Sequence, residues 1–266
     1  DGYLFTNTYL GDYPMFLPGG KEQIAGEYQP GWMLLSYGKK VSVSSSLEGY
    51  PAENIVDEDA RTAWVAQSNR DMEWAQVDLQ RLSSIHAIQV NFDEYGANQK
   101  GAVSGVYQSY LIYASVNGED WSLVVDYGTK KTDTPHDYIE FEEPFKARYI
   151  KLQNKEYMVS ENFSVRDLRI FGKGQGSTPR AVNDFTVERD EADPCKARLC
   201  WEAVPDAQGY IVRYGIAGDK LYNNFQVMGE NTLEIGSLNK GVAYYFTIDA
   251  YNENGITRTS RIKVCR

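Results

Sequence analysis

The chain has 266 residues, 42% of them apolar and 24% charged, enough for two ordinary globular domains that each bury a core. A formal net charge of −10 argues against nucleic acid and anionic membrane surfaces as partners. No apolar run reaches the length of a membrane span, and no stretch reads as a signal peptide; the start at Asp1 without Met leads us to expect a mature or excised piece.

Residues 1–38 read as a short strand, Asp1-Gly-Tyr-Leu-Phe-Thr-Asn-Thr-Tyr9, followed by irregular chain punctuated by Pro14, Pro18-Gly-Gly20 and Pro30-Gly31. The apolar run Trp32-Met-Leu-Leu35 closes it. A segment this small cannot hold a core of its own, so it is expected to lie along the next domain with Trp32 and Leu34 or Leu35 buried.

From residue 39 to 173 the signals are nearly all β. Val41, Val43 and Ser45 alternate with smaller polar residues, as do those of Trp74-Ala-Gln-Val-Asp-Leu79, while Ile88, Val90 and Phe92 share one face. Tyr110-Leu-Ile-Tyr113, Trp121-Ser-Leu-Val-Val125, Tyr138-Ile-Glu-Phe141, Arg148-Tyr-Ile-Lys-Leu152 and Asp167-Leu-Arg-Ile-Phe-Gly172 continue the series. Asn117-Gly118 is a strong hairpin-turn signal. Short strands at this spacing predict an all-β sandwich or barrel. After the linker Lys173-Gly-Gln-Gly-Ser-Thr-Pro179, residues 180–266 form a second strand set, with Trp201 in Arg198-Leu-Cys-Trp201, then Tyr210-Ile-Val-Arg-Tyr214 and Leu238…Tyr244-Tyr-Phe-Thr-Ile-Asp-Ala-Tyr-Asn252. Cys195, Cys200 and Cys265 fit no zinc spacing; one bridge and one free thiol is the expectation.

One stretch carries candidate chemistry. Asn54-Ile-Val-Asp-Glu-Asp-Ala-Arg-Thr-Ala-Trp64 sets Asp57, Asp59 and Thr62 close together ahead of an aromatic anchor. Hard cations take several oxygen ligands from a loop that is rigidly held, although the spacing is not that of an EF-hand, and a solvated acidic turn is the plainer alternative.

The series Ser44-Ser-Ser-Leu-Glu-Gly49, Asn54–Trp64, Glu73-Trp-Ala-Gln-Val-Asp-Leu79, Tyr110…Asn117-Gly-Glu-Asp-Trp121, Arg148–Leu152 and Asp167–Gly172 resembles coagulation-factor type C (discoidin-like) domains, whose sugar-binding members are the family 32 carbohydrate-binding modules. The resemblance implies a discoidin-like jelly-roll sandwich over 39–173 and a structural calcium. Its ligands would be the carbonyl of Asn54, the carboxylate of Asp57, the carbonyl of Asp59, Thr62, the carbonyl of Arg166 and the carboxylate of Asp167. Two departures stand out: Asp167 replaces the usual Glu, and Glu58 the usual Gly. Residues 180–266, with Leu238 six before Tyr244, resemble a fibronectin type III domain with its tyrosine corner, in which Cys195 and Cys265 would meet and leave Cys200 unpaired. Residues 1–38 resemble the tail of a family 43 glycoside hydrolase propeller, which implies an upstream catalytic domain that holds the catalytic acids, and an exported bacterial enzyme.

In such modules sugars dock at the loop end opposite the termini, here Leu47–Pro51, Gln67–Met72, Asp93–Tyr107 and Asn154–Phe163. Tyr50, Arg70, Tyr95, Tyr157 and Asn162 are the candidates there, although the His usual in the family's galactose set is not evident. His86 reads as a packed strand residue and His136 precedes another strand. Glu142-Glu143 and Asp93-Glu94 read as solvated strand ends and loops, so no catalytic pair is expected in this chain. Two function classes follow. The first is a non-catalytic accessory region that binds polysaccharide or oligosaccharide or positions the catalytic domain; the second is an adhesion or membrane-surface module. The acidic chain, with few exposed Leu or Phe beside Tyr50, Arg70, Tyr95 and Lys100, favours the first and argues against membrane insertion.

Overall fold

The computed structural model describes residues 32–97 and 105–266. The readings made for residues 1–31 and for Lys100 lie outside the described residues. The chain divides into two compact units, residues 1–175 and 176–266, and both are all-β sandwiches.

The first unit contains β1 (Met33–Leu34), β2 (Lys40–Val43), a short 3-10 helix (Ala52–Val56), β3 (Trp64–Val65), β4 (Trp74–Phe92), β5 (Gln108–Ser115), β6 (Ser122–Tyr127), β7 (His136–Tyr157) and β8 (Ser164–Lys173). Its strands run in the order β1-β8-β4-β7-β5-β6, with β2 on β4 and β3 on β8. Two strands are much longer than the sequence suggests. β4 joins the Trp74–Leu79 and Ile88–Phe92 runs, and β7 joins Tyr138–Phe141 to Arg148–Leu152. The β4–β7 ladder breaks register between Asp78 and Ser83, where Gln80 takes a φ of 67°, so each long strand bends and serves both layers. The early half of β4 pairs with β2 and with the late half of β7, which in turn pairs with β5; the late half of β4 pairs with the early half of β7 and with β8.

Between the layers lie the inward residues of the alternating strands, among them Ala75, Val77, Val90, Ile112, Ile150, Leu152 and Leu168, all fully buried. Rings bridge the layers: Phe92 meets Tyr110 at 5.3 Å and Phe163 at 6.1 Å, and Trp64 meets Phe163 edge-on at 5.8 Å. On the other side of β8, Trp32, Leu34, Ala87 and Phe171 make a satellite cluster, and Trp32 stacks on His86 at 5.2 Å. Trp32, Leu34 and Leu35 are all buried, and β1 pairs with β8 through Met33 and Leu34. Gly172 is required there, since a Cβ would lie 1.9 Å from the Ser84 carbonyl oxygen. The Asn117-Gly118 signal does mark a β5–β6 hairpin, with Gly118 at φ 83°, but the loop is longer than two residues. The Asn117 side-chain oxygen accepts from the N–H groups of Glu119 and Asp120.

The second unit packs a three-stranded sheet, β9 (Phe185–Arg189), β10 (Ala197–Trp201) and β13 (Thr232–Ile235), against one of β11 (Gly209–Gly215), β12 (Asn223–Met228), β14 (Tyr244–Asn252), β15 (Gly255–Thr257) and β16 (Lys263–Cys265). Its core holds Leu199, Trp201, Tyr210, Val212, Leu238, Tyr244, Phe246 and Ile248. The Asn239 N–H donates to the Tyr244 hydroxyl at 3.3 Å, fixing the chain turn before β14. All three cysteines are free, which corrects the expected bridge. Cys265 is buried beside Arg189, and burial pushes its thiol up. Cys195 lies in the turn before β10, where its N–H donates to Asp193.

Candidate functional site

The acidic loop is closed by its own short-range hydrogen bonds. Asp57 accepts from the Asp59 N–H and the Thr62 hydroxyl, both at 2.8 Å, while Thr62 also donates its N–H and hydroxyl to the Asp59 carbonyl at 3.1 and 3.0 Å. The Asn54 amide donates to the Ala63 carbonyl at 2.8 Å, and Trp64 donates its indole N–H to Ser45 at 3.0 Å, anchoring the loop in the core. Asp59 is held by the Arg61 guanidinium and lies below the usual carboxylate range for that reason.

β8 delivers the other half. Asp167 is buried; one of its oxygens accepts from Asn91 at 2.8 Å and the other has no hydrogen-bond partner. Burial raises its carboxyl, with Arg169 opposing and Asp57 adding to the rise. Arg166 turns its side chain to Asp93 at 2.5 Å, leaving only its carbonyl as a possible ligand. Among the described residues no three His, Cys, Asp or Glu side chains are grouped as metal ligands, so a cation here has to take mixed oxygens. The Asp57 carboxylate, the Asp59 carbonyl, the Thr62 hydroxyl and the unpartnered buried oxygen of Asp167 make a donor set that suits a hard cation.

Sequence reasoning noticed Glu58 only as a departure and missed Arg169 altogether. Glu58 sits at φ 61°, where its side chain folds inward, 3% exposed, and pairs with Arg169 at 2.8 Å. Burial pushes its carboxyl up to about 7, against the pull of the Arg169 guanidinium. The signal for Arg169 was the strand period: Asp167 and Arg169 are two apart and share a face of β8.

At the loop end the predicted set separates. Tyr50 and Tyr95 meet edge-on at 5.0 Å, both half-exposed, and Arg70 is exposed with no side-chain partner among the described residues. Tyr157 is a correction: it is 2% exposed, packs edge-on against Phe163 at 5.3 Å, and donates its hydroxyl to the Asp93 carbonyl. A ring so enclosed cannot stack on a sugar. Asn162 is also occupied, since its amide donates to the Ala66 carbonyl at 2.8 Å. Ser44, Ser45 and Ser68 all donate hydroxyls to Glu73, which ties two of the loops together. Met72 and Met158, not singled out in the sequence, are 62% and 52% exposed on the Gln67–Met72 and Asn154–Phe163 loops. His136 contacts the Asn91 side chain at 3.1 Å, and neither histidine lies in the loops named for sugar binding. Glu142 and Glu143 are exposed on β7, and Asp93 is paired to Arg166 rather than free.

Residues 40–167 match the F5/8 type C domain family. Lactadherin of Rattus norvegicus is 33% identical over 110 residues, 39% of this chain and 25% of that protein; lactadherin of Mus musculus is 32% identical over the same length. The chain thus spans about a quarter of the length of these relatives. Among solved structures, the family 32 module of C. perfringens NanJ in complex with galactose aligns with 18% identity and a TM-score of 0.43, over 53% of this chain and 98% of that one. Chitosan-binding module 2 of a Paenibacillus sp. IK-5 chitosanase/glucanase, in complex with chitotriose, aligns with 19% identity and a TM-score of 0.45, over 52% and 99%.

Proposed function

From the premise that residues 40–167 are an F5/8 type C domain, a binding type of domain rather than a catalytic one, we propose that the chain is a carbohydrate-binding or positioning region of an exported glycoside hydrolase. The observation that supports it is the half-exposed Tyr50–Tyr95 ring pair with the unpartnered Arg70 in the neighbouring loop. A ring covers the C–H face of a pyranose and a guanidinium fixes its hydroxyls, the usual division between apolar area and a few placed polar groups. The reading includes an upstream family 43 catalytic domain, and a fibronectin type III-like second unit whose Asn239–Tyr244 hydrogen bond serves as the tyrosine corner. Titration with arabinose-, xylose- and galactose-containing fragments, followed by NMR, is expected to shift the Tyr50, Arg70 and Tyr95 loops, with affinity in the range of about 4–6 kcal/mol. Tyr50→Ala or Arg70→Ala is expected to abolish the shifts. Exposed Met72 and Met158 favour a second reading, a membrane-surface module, and sedimentation with phosphatidylserine vesicles in place of any glycan response would select it.

Calcium belongs to the same proposal. Asp57, Asp59, Thr62 and Asp167 would hold it, with the carbonyls of Asn54 and Arg166, and it would pin the loop to β8 without taking part in any reaction. A folded-state ligand at a hundredfold excess over its Kd stabilises by about 2.7 kcal/mol. Chelator is expected to lower the melting temperature of the first unit, and Asp57→Ala to make the protein insensitive to it. An unchanged melting curve in chelator, with no metal by elemental analysis, would remove calcium from the reading.

A further inference from the structure

The outward face of the β2-β4-β7-β5-β6 layer carries a set of side chains that the loop end does not use. Antiparallel register places Ser42, Gln76, Lys151, Tyr113 and Leu123 in one row across five strands. At a strand spacing of about 4.8 Å this row runs roughly 19 Å. Gln153 and Tyr149 flank Lys151 on the same face of β7, because the intervening Ile150 and Leu152 point into the core. Lys151 Nζ lies 4.0 Å from the Trp121 ring centroid and 5.4 Å from that of Tyr113; Trp121 in turn meets Tyr149 edge-on at 6.5 Å.

Two other cations near this face have carboxylate partners. Arg148 pairs with Asp78 at 2.8 Å and Lys155 with Asp71 at 2.6 Å. Lys151 has no carboxylate partner among the described residues, although the chain has ten more acids than bases. Its ammonium is half-buried between rings, and burial alone holds it below the usual lysine range. A cation that is partly stripped of water and left without a counter-ion invites an external anion.

We propose that this sheet face binds a linear glycan that bears carboxylates, a uronate chain, as a second site apart from the loop end. One uronate carboxylate pairs with Lys151, pyranose C–H faces lie on Trp121 and Tyr113, and Gln76 and Gln153 take hydroxyls. The length of the row spans several sugar units, so the polymer gains by repeated contact where a monosaccharide would not.

Affinity electrophoresis of the whole chain through gels holding polygalacturonate tests this. Retardation by polygalacturonate is expected, lost with its fully methyl-esterified form and reduced by salt. Lys151→Gln is expected to weaken retention about tenfold or more, Lys151→Arg to keep it, and Trp121→Ala to weaken it as well. The melting temperatures of the Lys151 variants should match the parent, since the side chain sits on the outer face. Four outcomes would each overturn the proposal: no retardation by polygalacturonate, equal retardation by the methyl ester, unchanged retention in Lys151→Gln, or loss in Tyr50→Ala with Lys151→Gln unaffected. The last would place the uronate at the loop end. Failure of neutral sugars at Tyr50 and Arg70 bears on the loop-end reading alone.

Discussion

Arg169→Met is expected to destabilise the first unit by about 3–5 kcal/mol, the usual effect of breaking a buried ion pair from one side. Glu58 is enclosed, and the loop's backbone at φ 61° aims it at β8, so without Arg169 its carboxyl is left buried and unpaired near Asp167 and Asp57 and must take up a proton to remain there. The double variant Glu58→Gly/Arg169→Met should recover most of the loss, because glycine takes this φ freely and no charge is left to bury. Urea unfolding of the two single variants and the double gives the coupling energy directly. The penalty should also depend on pH. The folded-state value for Glu58 is raised from 4.5 to about 7, so the folded protein binds its proton first as pH falls. Its contribution to stability is therefore gained from neutral pH down to the unfolded value, and lost as pH rises through about 7. The Arg169→Met loss should accordingly be larger in mildly alkaline than in mildly acidic buffer. A loss below about 1 kcal/mol at neutral pH would mean that Glu58 escapes to water and does not pin the loop.

Tyr157→Ala should cost about 3–5 kcal/mol as a core truncation, whereas Tyr157→Phe should cost only about 1 kcal/mol, the worth of one hydroxyl hydrogen bond. The ring lies among Phe92 and Phe163, and its hydroxyl shares the Asp93 carbonyl with Ser164, which still serves that acceptor when the tyrosine hydroxyl is gone. Denaturant midpoints measure both. Glycan-dependent NMR shifts at Tyr50 and Arg70 should be the same in Tyr157→Phe as in the parent; their loss would return Tyr157 to the sugar site.

The contrast between Tyr157 and Tyr50 shows where sequence reading stops. Both are tyrosines beside predicted loops, but β7 runs on through Tyr157, and a bulge at Lys155 reverses the alternation set by Ile150, Leu152 and Asn154, so that Tyr157 turns inward while Glu156 points out. The length of β4 and β7 was hidden in the same way. The bulges that bend them shift the inward phase, so each long strand reads in the sequence as two short ones. The expected Cys195–Cys265 bridge rested on the fibronectin-type resemblance alone, and the positions of the free thiols are not visible in the spacing.

The features legible in the residues alone are local. Alternation made the all-β sandwich legible, Asn117-Gly118 marked its hairpin, and Asp57, Asp59 and Thr62 close a turn through partners two to five residues apart. Such contacts depend on short chain segments with few alternatives. The remaining contacts arise from long-range strand pairing. Glu58 finds Arg169 across 111 residues, Asn91 finds Asp167 across 76, and Lys151 is set between Trp121 and Tyr113 by the register of three strands. These partners meet because burying the two layers fixes one pairing of strands, and no local pattern encodes which distant side chains that pairing brings together.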